Sequence, residues 1–328
     1  YAQLFHYKYF KKLIQPTGVK YMFALPEAAV LSASARGFLR RNGMVMKKTY
    51  LFGAIWAVLV GVVVFVALTF ALRGCSFEAR NQNTYTTTME VADFSAISVA
   101  MPAEVTYTVG PQCSVMVEAD EKTLQRMDVH VDAATGTLEI GLDPEDSEHE
   151  SWYEKLNLST SKTKIAVTAP ALSGIEASLS ASVTCESPLV SDGELQLIAS
   201  TAGEIKVGEV RCATAVIEAM TSGDIALDGL TADIARLSAS TSGDIEAGKL
   251  QCDTVKAITS TSGDIEIEGG STRYIAVESS TSGDFAGGRL IADEGRAEAF
   301  TGSDIELNVR KLSSSASTGG EITNRYGK

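Results

Sequence analysis

The feature that most constrains this 328-residue chain is a Thr-Ser-Gly-Asp tetrad that returns every twenty residues. Full copies begin at Thr221, Thr241, Thr261 and Thr281, and altered copies begin at Thr201 (TAGEI) and Thr301 (TGSDI). A constant period of this kind indicates stacked structural units, because each unit buries its apolar face only against its neighbours. The period therefore limits the architecture before any local prediction is made.

Each unit has the pattern of strands rather than helices. In AVIEAMTS (215–222), Ala215, Ile217 and Ala219 share one face, and Val216 and Glu218 lie on the other. Alternation with a period of two indicates half-buried strands, and the repeated glycines and β-branched residues disfavour helix. Two apolar columns recur, the first at Ile205, Ile225, Ile245, Ile265, Phe285 and Ile305, the second at Val210, Leu230, Leu250 and Leu290.

The sequence therefore predicts an all-β fold, a right-handed parallel β-helix (β-solenoid) with about 20 residues per coil. Backbones of neighbouring coils would pair at roughly 4.8 Å, so six coils would span about 30 Å. The segment around Ser182 falls in register with the tetrads, which places the regular solenoid at residues 181–328. Residues 89–180 show strand patterns without the period and are predicted to form the strand-rich start of the same head domain.

The amino-terminal part is predicted to hold one transmembrane or signal segment before the solenoid. Residues 49–72 carry no charge and follow two lysines, a pattern long enough to cross a bilayer with the body exported. We assign residues 46–75 to this signal or membrane anchor. Residues 1–45 are either an upstream extension of the reading frame or a cytoplasmic tail, and residues 76–88 form a polar linker.

The segment Leu72-Arg73-Gly74-Cys75 resembles the lipoprotein box of bacteria, apart from Arg73. Cys75 is therefore a lipidation candidate, and a lipid anchor and a retained membrane helix are both open. Either anchor predicts a protein of the bacterial cell envelope that is tethered by its amino end, with its body outside the cytoplasm.

Charge argues against a nucleic-acid partner. Residues 1–48 hold nine Lys/Arg and one acid, which leaves 19 basic and 40 acidic residues in the body, a net charge near −21. Binding to a polyanion depends on basic residues that neutralise phosphates. We therefore expect no nucleic acid among the partners, and membrane contact through the N-terminal anchor alone.

The chain offers few residues for metal or catalytic chemistry. It has five cysteines without a CxxC pair and three histidines, so zinc has few ligands to draw on. The cysteines other than Cys75 are predicted to be buried free thiols, and His130 is predicted to face solvent from a strand. No Ser/His/Asp or Cys/His set can be assembled. We expect no catalytic residue, no metal ligand and no cofactor.

The tetrad itself is either a corner or a binding site. Stacking would align its carboxylates at about 5 Å, where like charges repel by roughly 1 kcal/mol per pair. In a corner, glycine would take the positive φ, and the Thr, Ser and Asp side chains would bond local amides. In a site, the carboxylates would share calcium ions, as in β-rolls, although one Asp per corner favours the corner. The ladder comprises Asp224, Asp244, Asp264, Asp284 and Asp304, with Glu204 below.

A row of mixed charge is predicted on the outward surface. Such a row is typical of a solvated face, and a carbohydrate-active β-helix enzyme would also need aromatic platforms, which are scarce after residue 190. The basic members are Arg236, Lys256 and Arg296, and the acidic members are Glu218, Glu278 and Glu298.

FSAISVAMPAEVTYTVG (94–110), KIAVTAPALSGIEASLSASVT (164–184) and the repeated SGDI corners resemble the auto-transporter adhesin head GIN domain family over about residues 90–310. The acidic stretch 143–156, predicted to be an exposed loop, is longer here than in that family. The resemblance implies a non-catalytic, adhesin-like binder of an extracytoplasmic protein or glycan, or of a second copy of itself. The alternatives are a carbohydrate-active β-helix enzyme and the ectodomain of an envelope stress-sensing system.

Overall fold

The structure is a computed structural model that describes residues 84–143 and 163–327. These residues form a β-solenoid of about eight turns with roughly 20 residues per coil, which confirms the fold predicted from the period. The predicted extension, the anchor with Cys75, most of the linker and most of the acidic stretch 143–156 lie outside the described residues. Within the described ranges, no helix is both long and apolar enough to span a bilayer.

Short elements come first, and long strands that follow whole coils come later. The short elements are β1 (Thr84–Met89), β2 (Ala96–Ala100), β3 (Glu104–Val109), β4 (Ser114–Asp120), α1 (Glu121–Arg126), β5 (Met127–Asp132), β6 (Thr137–Leu142), β7 (Lys164–Ala169), β8 (Gly174–Ser178), β9 (Ser182–Cys185) and β10 (Leu189–Val190). The later strands are β11 (Glu194–Ser200), β12 (Glu204–Met220), β13 (Asp224–Ser240), β14 (Asp244–Ser260), β15 (Ile265–Ser280), β16 (Phe285–Ala299), β17 (Asp304–Ala316) and β18 (Glu321–Asn324).

The later coils pair in parallel and in register. From β12 to β15, each residue lies beside the residue twenty positions further along the chain. The predicted column from Ile205 to Ile305 is buried throughout, with each member at most 1% exposed. Equivalent residues therefore make the same core contacts in each coil, because a step of twenty residues returns each apolar side chain to the same place in the core.

Each coil bends where the alternation of buried residues skips a position. In β13 the inward-facing residues fall into three groups, at 225 and 227, at 230 and 232, and at 235, 237 and 239. Between groups the inward spacing is three residues rather than two, so the strand changes direction while it keeps an apolar side chain inside. We call the outward surface of the third and longest segment, residues 234–240 and their equivalents in other coils, the broad face.

The stack begins before Ser182, where the sequence pattern placed its start. β2 pairs in parallel with β8, and β3 pairs in parallel with β9. Residues 96–109 therefore already form a coil beneath residues 174–185. The twenty-residue period does not reveal this coil, because β4 to β7 are inserted between Ile97 and its stacking partner Ile175.

The amino-terminal end of the stack is covered by a cap of other strands. β6 and β7 lie in parallel beneath β2 and β3. β5 then pairs antiparallel with β6, β4 pairs antiparallel with β7, and β1 pairs antiparallel with β4. α1 follows β4 directly, and the Asp120 side chain accepts the amide of Thr123 at its start, as N-cap residues do.

The tetrad forms a corner, but its glycine does not supply the positive φ, so that prediction was wrong. In the second unit Thr221 (φ 53°) and Ser222 (φ 60°) lie in the left-handed region, and later Thr-Ser pairs repeat these values. Residues with side chains rarely adopt this conformation. Here it directs the Ser222 amide to the carbonyl oxygen of Thr241 in the next coil, at 3.0 Å. The corner thus takes part in the backbone pairing between coils.

The tetrad glycine is required for a close approach between coils. A Cβ atom on Gly243 would lie 2.6 Å from the carbonyl carbon of Ala219 and 2.6 Å from the amide nitrogen of Met220. In the altered tetrad TGSD, the positive φ and the close approach between coils again belong to different residues. Gly302 takes the positive φ of 72°, and Ser303 occupies the close position, where its hydroxyl donates to the carbonyl oxygen of Ser279 at 2.8 Å.

We expect Gly243→Ala to reduce the free energy of unfolding by roughly 1–3 kcal/mol, because the added methyl group collides with the backbone of another coil. Gly208→Ala is the matched control, since its Cβ would meet nothing nearer than an Asp228 carboxylate oxygen at 3.6 Å. Thermal unfolding of both variants, followed by circular dichroism, measures the difference. Equal melting temperatures would contradict the close approach.

Candidate functional site

The five tetrad aspartates stack one above another, as predicted, and their carboxylates bond the backbone. The amides of Asp264, Asp284 and Asp304 each donate to the Oδ1 atom of the aspartate one coil earlier, at 3.1, 2.8 and 2.8 Å. Hydrogen bonds to an ionised acceptor are stronger than neutral ones. These bonds offset the repulsion within the ladder, so the carboxylates have a structural role in holding consecutive coils together.

The lower end of the ladder shows the electrostatic cost of stacking acids. Burial raises the pKa of Asp224, and the neighbouring carboxylates of Asp244 and Glu204 raise it further. Glu204 has the opposite shift, since hydrogen bonds from Lys206 and from the Ser182 hydroxyl lower its pKa. The ion pair between Glu204 and Lys206 thus stabilises the base of the ladder. The carboxylate of Asp224 above it is still repelled by its neighbours.

No metal centre is assembled in the described part of the chain. There, no group of three or more His, Cys, Asp or Glu side chains is placed to hold an ion. The ladder supplies one carboxylate per coil, and several of these already accept backbone amides. Calcium binding by the ladder therefore stays a hypothesis.

An open groove of about 340 Å³ lies across three neighbouring coils. Its polar lining consists of carboxylates, and small residues complete the wall. The sequence did not predict this groove, because its lining comes from three coils about twenty positions apart that meet only through stacking. The one available signal was Glu246 and Glu266, which occupy equivalent outward positions one period apart. The lining residues are Ala226, Leu227, Asp228, Glu246, Ala247, Gly248, Glu266 and Glu268.

The broad face carries the predicted row of mixed charge. Arg236 and Lys256 are exposed and lie directly one above the other in neighbouring coils. Neither forms an ion pair with any residue of the described ranges. Arg296, by contrast, is tied to Glu298 on its own strand. Within the described ranges, this face therefore holds two adjacent cations that form no ion pair.

Apolar and aromatic side chains accompany these cations. Ile258, two residues after Lys256 on the same face, is 50% exposed. Tyr274, in the next coil, is half-buried and lies close enough to act on the charge of Arg296. Arginine, tyrosine and apolar residues next to one another are enriched at protein interfaces.

The remaining candidates for chemistry are placed without a reactive partner. Cys185 and Cys252 are buried free thiols, as predicted, and burial raises the pKa of each to about 12. Cys113 and Cys212 are free but only half-buried, which the sequence did not predict. His130 is exposed, as predicted, and lies beside Asp128 and Glu139. Cys75, the lipidation candidate, lies outside the described residues.

Removal of a ladder carboxylate should weaken the stack. Asp264→Ala leaves the Asp284 amide without its acceptor, and we expect a loss of roughly 1 kcal/mol in the free energy of unfolding. Asp264→Asn is the control, because the amide oxygen still accepts this bond while the charge is removed. Chemical denaturation measures both variants. A loss of the same size in Asp264→Asn would show that charge, and not the bond, matters.

The raised pKa of Asp224 predicts a pH dependence. Its ionised form is disfavoured in the folded protein, so this residue adds stability as the pH falls through its folded-state pKa and removes stability above it. We therefore expect Asp224→Asn to raise the melting temperature at pH 7, and the gain over the unmodified protein to shrink towards pH 4. Melting curves across this range test the sign, with Asp284→Asn as the control. A gain that grows in acid would contradict it.

Comparisons with solved structures agree with the fold. A protein from Parabacteroides merdae described as a putative adhesin matches with a TM-score of 0.57 and 16% identity, over 74% of this chain and 97% of the other. A putative adhesin from Bacteroides fragilis matches with a TM-score of 0.49 and 21% identity, over 74% and 98% of the two chains. At such identities the first likeness shows the fold alone, and the second carries no argument. A comparison with curated proteins gave no match.

The family comparison covers most of the described domain. Residues 93–269 and 216–325 both match the family described as "Putative auto-transporter adhesin, head GIN domain". The two matches overlap within the tetrad repeats, as expected for a chain whose coils resemble one another. Together they span more than half of the chain, from the first strands of the solenoid to its last coil. The chain belongs to this family of adhesin head domains.

Proposed function

We propose that this protein is a non-catalytic, adhesin-like binding module of a bacterial cell envelope, which holds a rigid β-solenoid outside the cytoplasm. Its partner is an extracytoplasmic protein or glycan. Membership of a family of adhesin heads supports a binding role at the cell surface. The charge-free run in residues 46–75 supports an amino-terminal anchor, by lipid at Cys75 or by a retained helix.

The observation that carries the proposal is the pair of adjacent cations on the broad face, neither of which forms an ion pair with a described residue. Arg236 and Lys256 project from neighbouring coils of a backbone that is fixed by pairing on both sides. A backbone that is already ordered does not have to be ordered when a partner binds, which favours affinity. Ile258 adds exposed apolar area two residues after Lys256, and Tyr274 lies in the next coil. The broad face is therefore the surface that we assign to the partner.

The distribution of shifted pKa values supports a binding role over a catalytic one. Strongly perturbed groups that lie together in a cleft are typical of active sites. In the described residues, the groups with lowered pKa values are tied to structural bonds. Asp132 accepts amide and hydroxyl bonds within a turn, and Glu294 pairs with Lys311. The acidic groove combines four carboxylates with no histidine or cation in its lining.

Binding can be tested with the full chain on a printed glycan array and on a panel of purified extracellular proteins. We expect the double variant Arg236→Ala/Lys256→Ala to weaken binding to the partner by tenfold or more, about 1.4 kcal/mol, as for the central residues of an interface. Arg211→Ala/Lys249→Ala is the matched control, because it also removes one exposed arginine and one exposed lysine, but from a different segment of the coil.

Equal loss in the two double variants would show a general effect of charge and would remove the broad face from the proposal. Release of reducing ends from any bound glycan would overturn the non-catalytic assignment. Melting temperatures of both double variants check that each remains folded.

A further inference from the structure

The last coil ends in a strand edge that the described residues leave open. β17 pairs with β16 along most of its length, but β18 covers only Asp304–Leu307. Residues 310–316, which we call the C-terminal edge, have no strand above them in the described part of the chain. In the earlier coils, the corresponding segments are paired on both sides.

The direction of the unpaired amide groups follows from one hydrogen bond. The amide of Ser317 donates to the carbonyl oxygen of Ala299 in the coil below, at 2.9 Å. Alternate residues of a parallel strand direct their amide groups to opposite neighbours. The N–H and C=O groups of Leu312, Ser314 and Ala316 therefore point away from β16, towards the open side.

The chain covers the edge up to the point where the C-terminal edge begins. The Asn324 side chain accepts the amide of Val309 at 3.0 Å and donates to its carbonyl oxygen at 2.9 Å, in place of a paired strand. The Arg325 amide donates to the carbonyl oxygen of Leu307 at 2.7 Å. All three bonds are made to residues before 310, so the contrast between a covered and an open edge lies within one strand.

The C-terminal edge lacks the usual protection against pairing. Natural edges are commonly blocked by charged side chains, proline or bulges, whereas Leu312–Ala316 has the sequence LSSSA. The two cations at its start turn to the coil below, where Arg310 meets Asp293 and Lys311 meets Glu294. What remains is a run of small side chains that leaves the backbone accessible.

We propose that the C-terminal edge pairs antiparallel with the same edge of a second copy of this chain. Charge favours this occupant. The body is strongly acidic, but residues 304–328 hold four basic and three acidic residues, so two copies repel least at this end. The inference goes beyond the proposed function and does not depend on it, since Arg236 and Lys256 lie in earlier coils.

When two copies are related by a two-fold axis at Ser314, the open N–H and C=O groups of each edge find hydrogen-bonding partners. Ser314 then faces Ser314 of the second copy, and Leu312 faces its Ala316, so all three residues with open amide groups meet hydrogen-bonding partners. Arg310 and Lys311 face Thr318 and Ser317, and no like charges are opposed. Leu312, which the monomer leaves half-buried at the end of the core, gains apolar cover. Such an interface is closed, whereas pairing with β1 of another copy would build an open filament.

Cross-linking tests the geometry in the full chain. Ser314→Cys should give a covalent dimer with a short bis-maleimide, because the two residues 314 are opposed across the axis. The interface is too small for a tight complex, but the cross-linker traps each dimer as it forms. Ser271→Cys is the control, since residue 271 is exposed in a coil paired on both sides. Both variants keep the native cysteines and so share one background. If Ser314→Cys gives no more cross-linked dimer than the control, the proposal is overturned. That result would mean that the edge is free, binds a foreign peptide or pairs with β1.

A second pair of variants separates self-association from folding. Ser314→Pro removes an N–H that points to the open side, so it should abolish the dimer and leave the melting temperature unchanged. Ser313→Pro removes an N–H that points to β16, so it should lower the melting temperature. Light scattering of the detergent-solubilised full chain over a concentration series measures the mass. A dimer that survives Ser314→Pro would overturn pairing through this edge.

Discussion

The structure depends on parallel backbone pairing between coils that are held at one fixed spacing. Each coil is too short to bury its apolar side chains alone, and it gains a core only when its neighbours repeat its course. A side chain that holds two coils apart therefore disrupts the backbone bonds on both sides of it. Glycine occupies the close tetrad position from Gly203 to Gly283, where a Cβ atom would lie within 3 Å of neighbouring backbone. This constraint favours recurrence of the glycine every twenty residues.

The remaining tetrad residues extend the same pairing through the corner. A sharp bend normally interrupts a sheet, because its amides turn away from the neighbouring strands. Here the left-handed Thr-Ser pair sends one amide to the next coil, and the aspartate carboxylate accepts another. The question raised by the repeated tetrad is therefore answered by its hydrogen bonds, which give the carboxylates a structural role in the corner. This assignment leaves the outward surfaces between corners as the places where the protein can differ from coil to coil and recognise a partner.

The sequence predicted the fold and the core columns correctly, because both follow from a local period and from alternation along one strand. It failed where the decisive contact joins distant residues. The role of Gly243 depends on the backbone of Ala219 and Met220 in another coil, which a rule about turns does not include. The first coil was missed because an insertion separates Ile97 from Ile175. The charged row was predicted, but the lack of an ion-pair partner for Arg236 and Lys256 among the described residues became visible only once the neighbouring coils were in place.

The first and last coils of a stack each have one strand edge without a neighbouring coil. The two ends of this stack are covered in different ways. At the amino end, antiparallel strands can turn back and cover the first coil, since the chain there is still free to take another course. At the carboxyl end of the described residues, one short strand and an asparagine side chain cover only part of the last coil. A surface strand edge without charge or proline is an attachment point for another strand. In a molecule that repeats the same coil, a strand of the same kind fits such an edge well, and the pairing that we propose with a second copy follows from the way in which this solenoid ends.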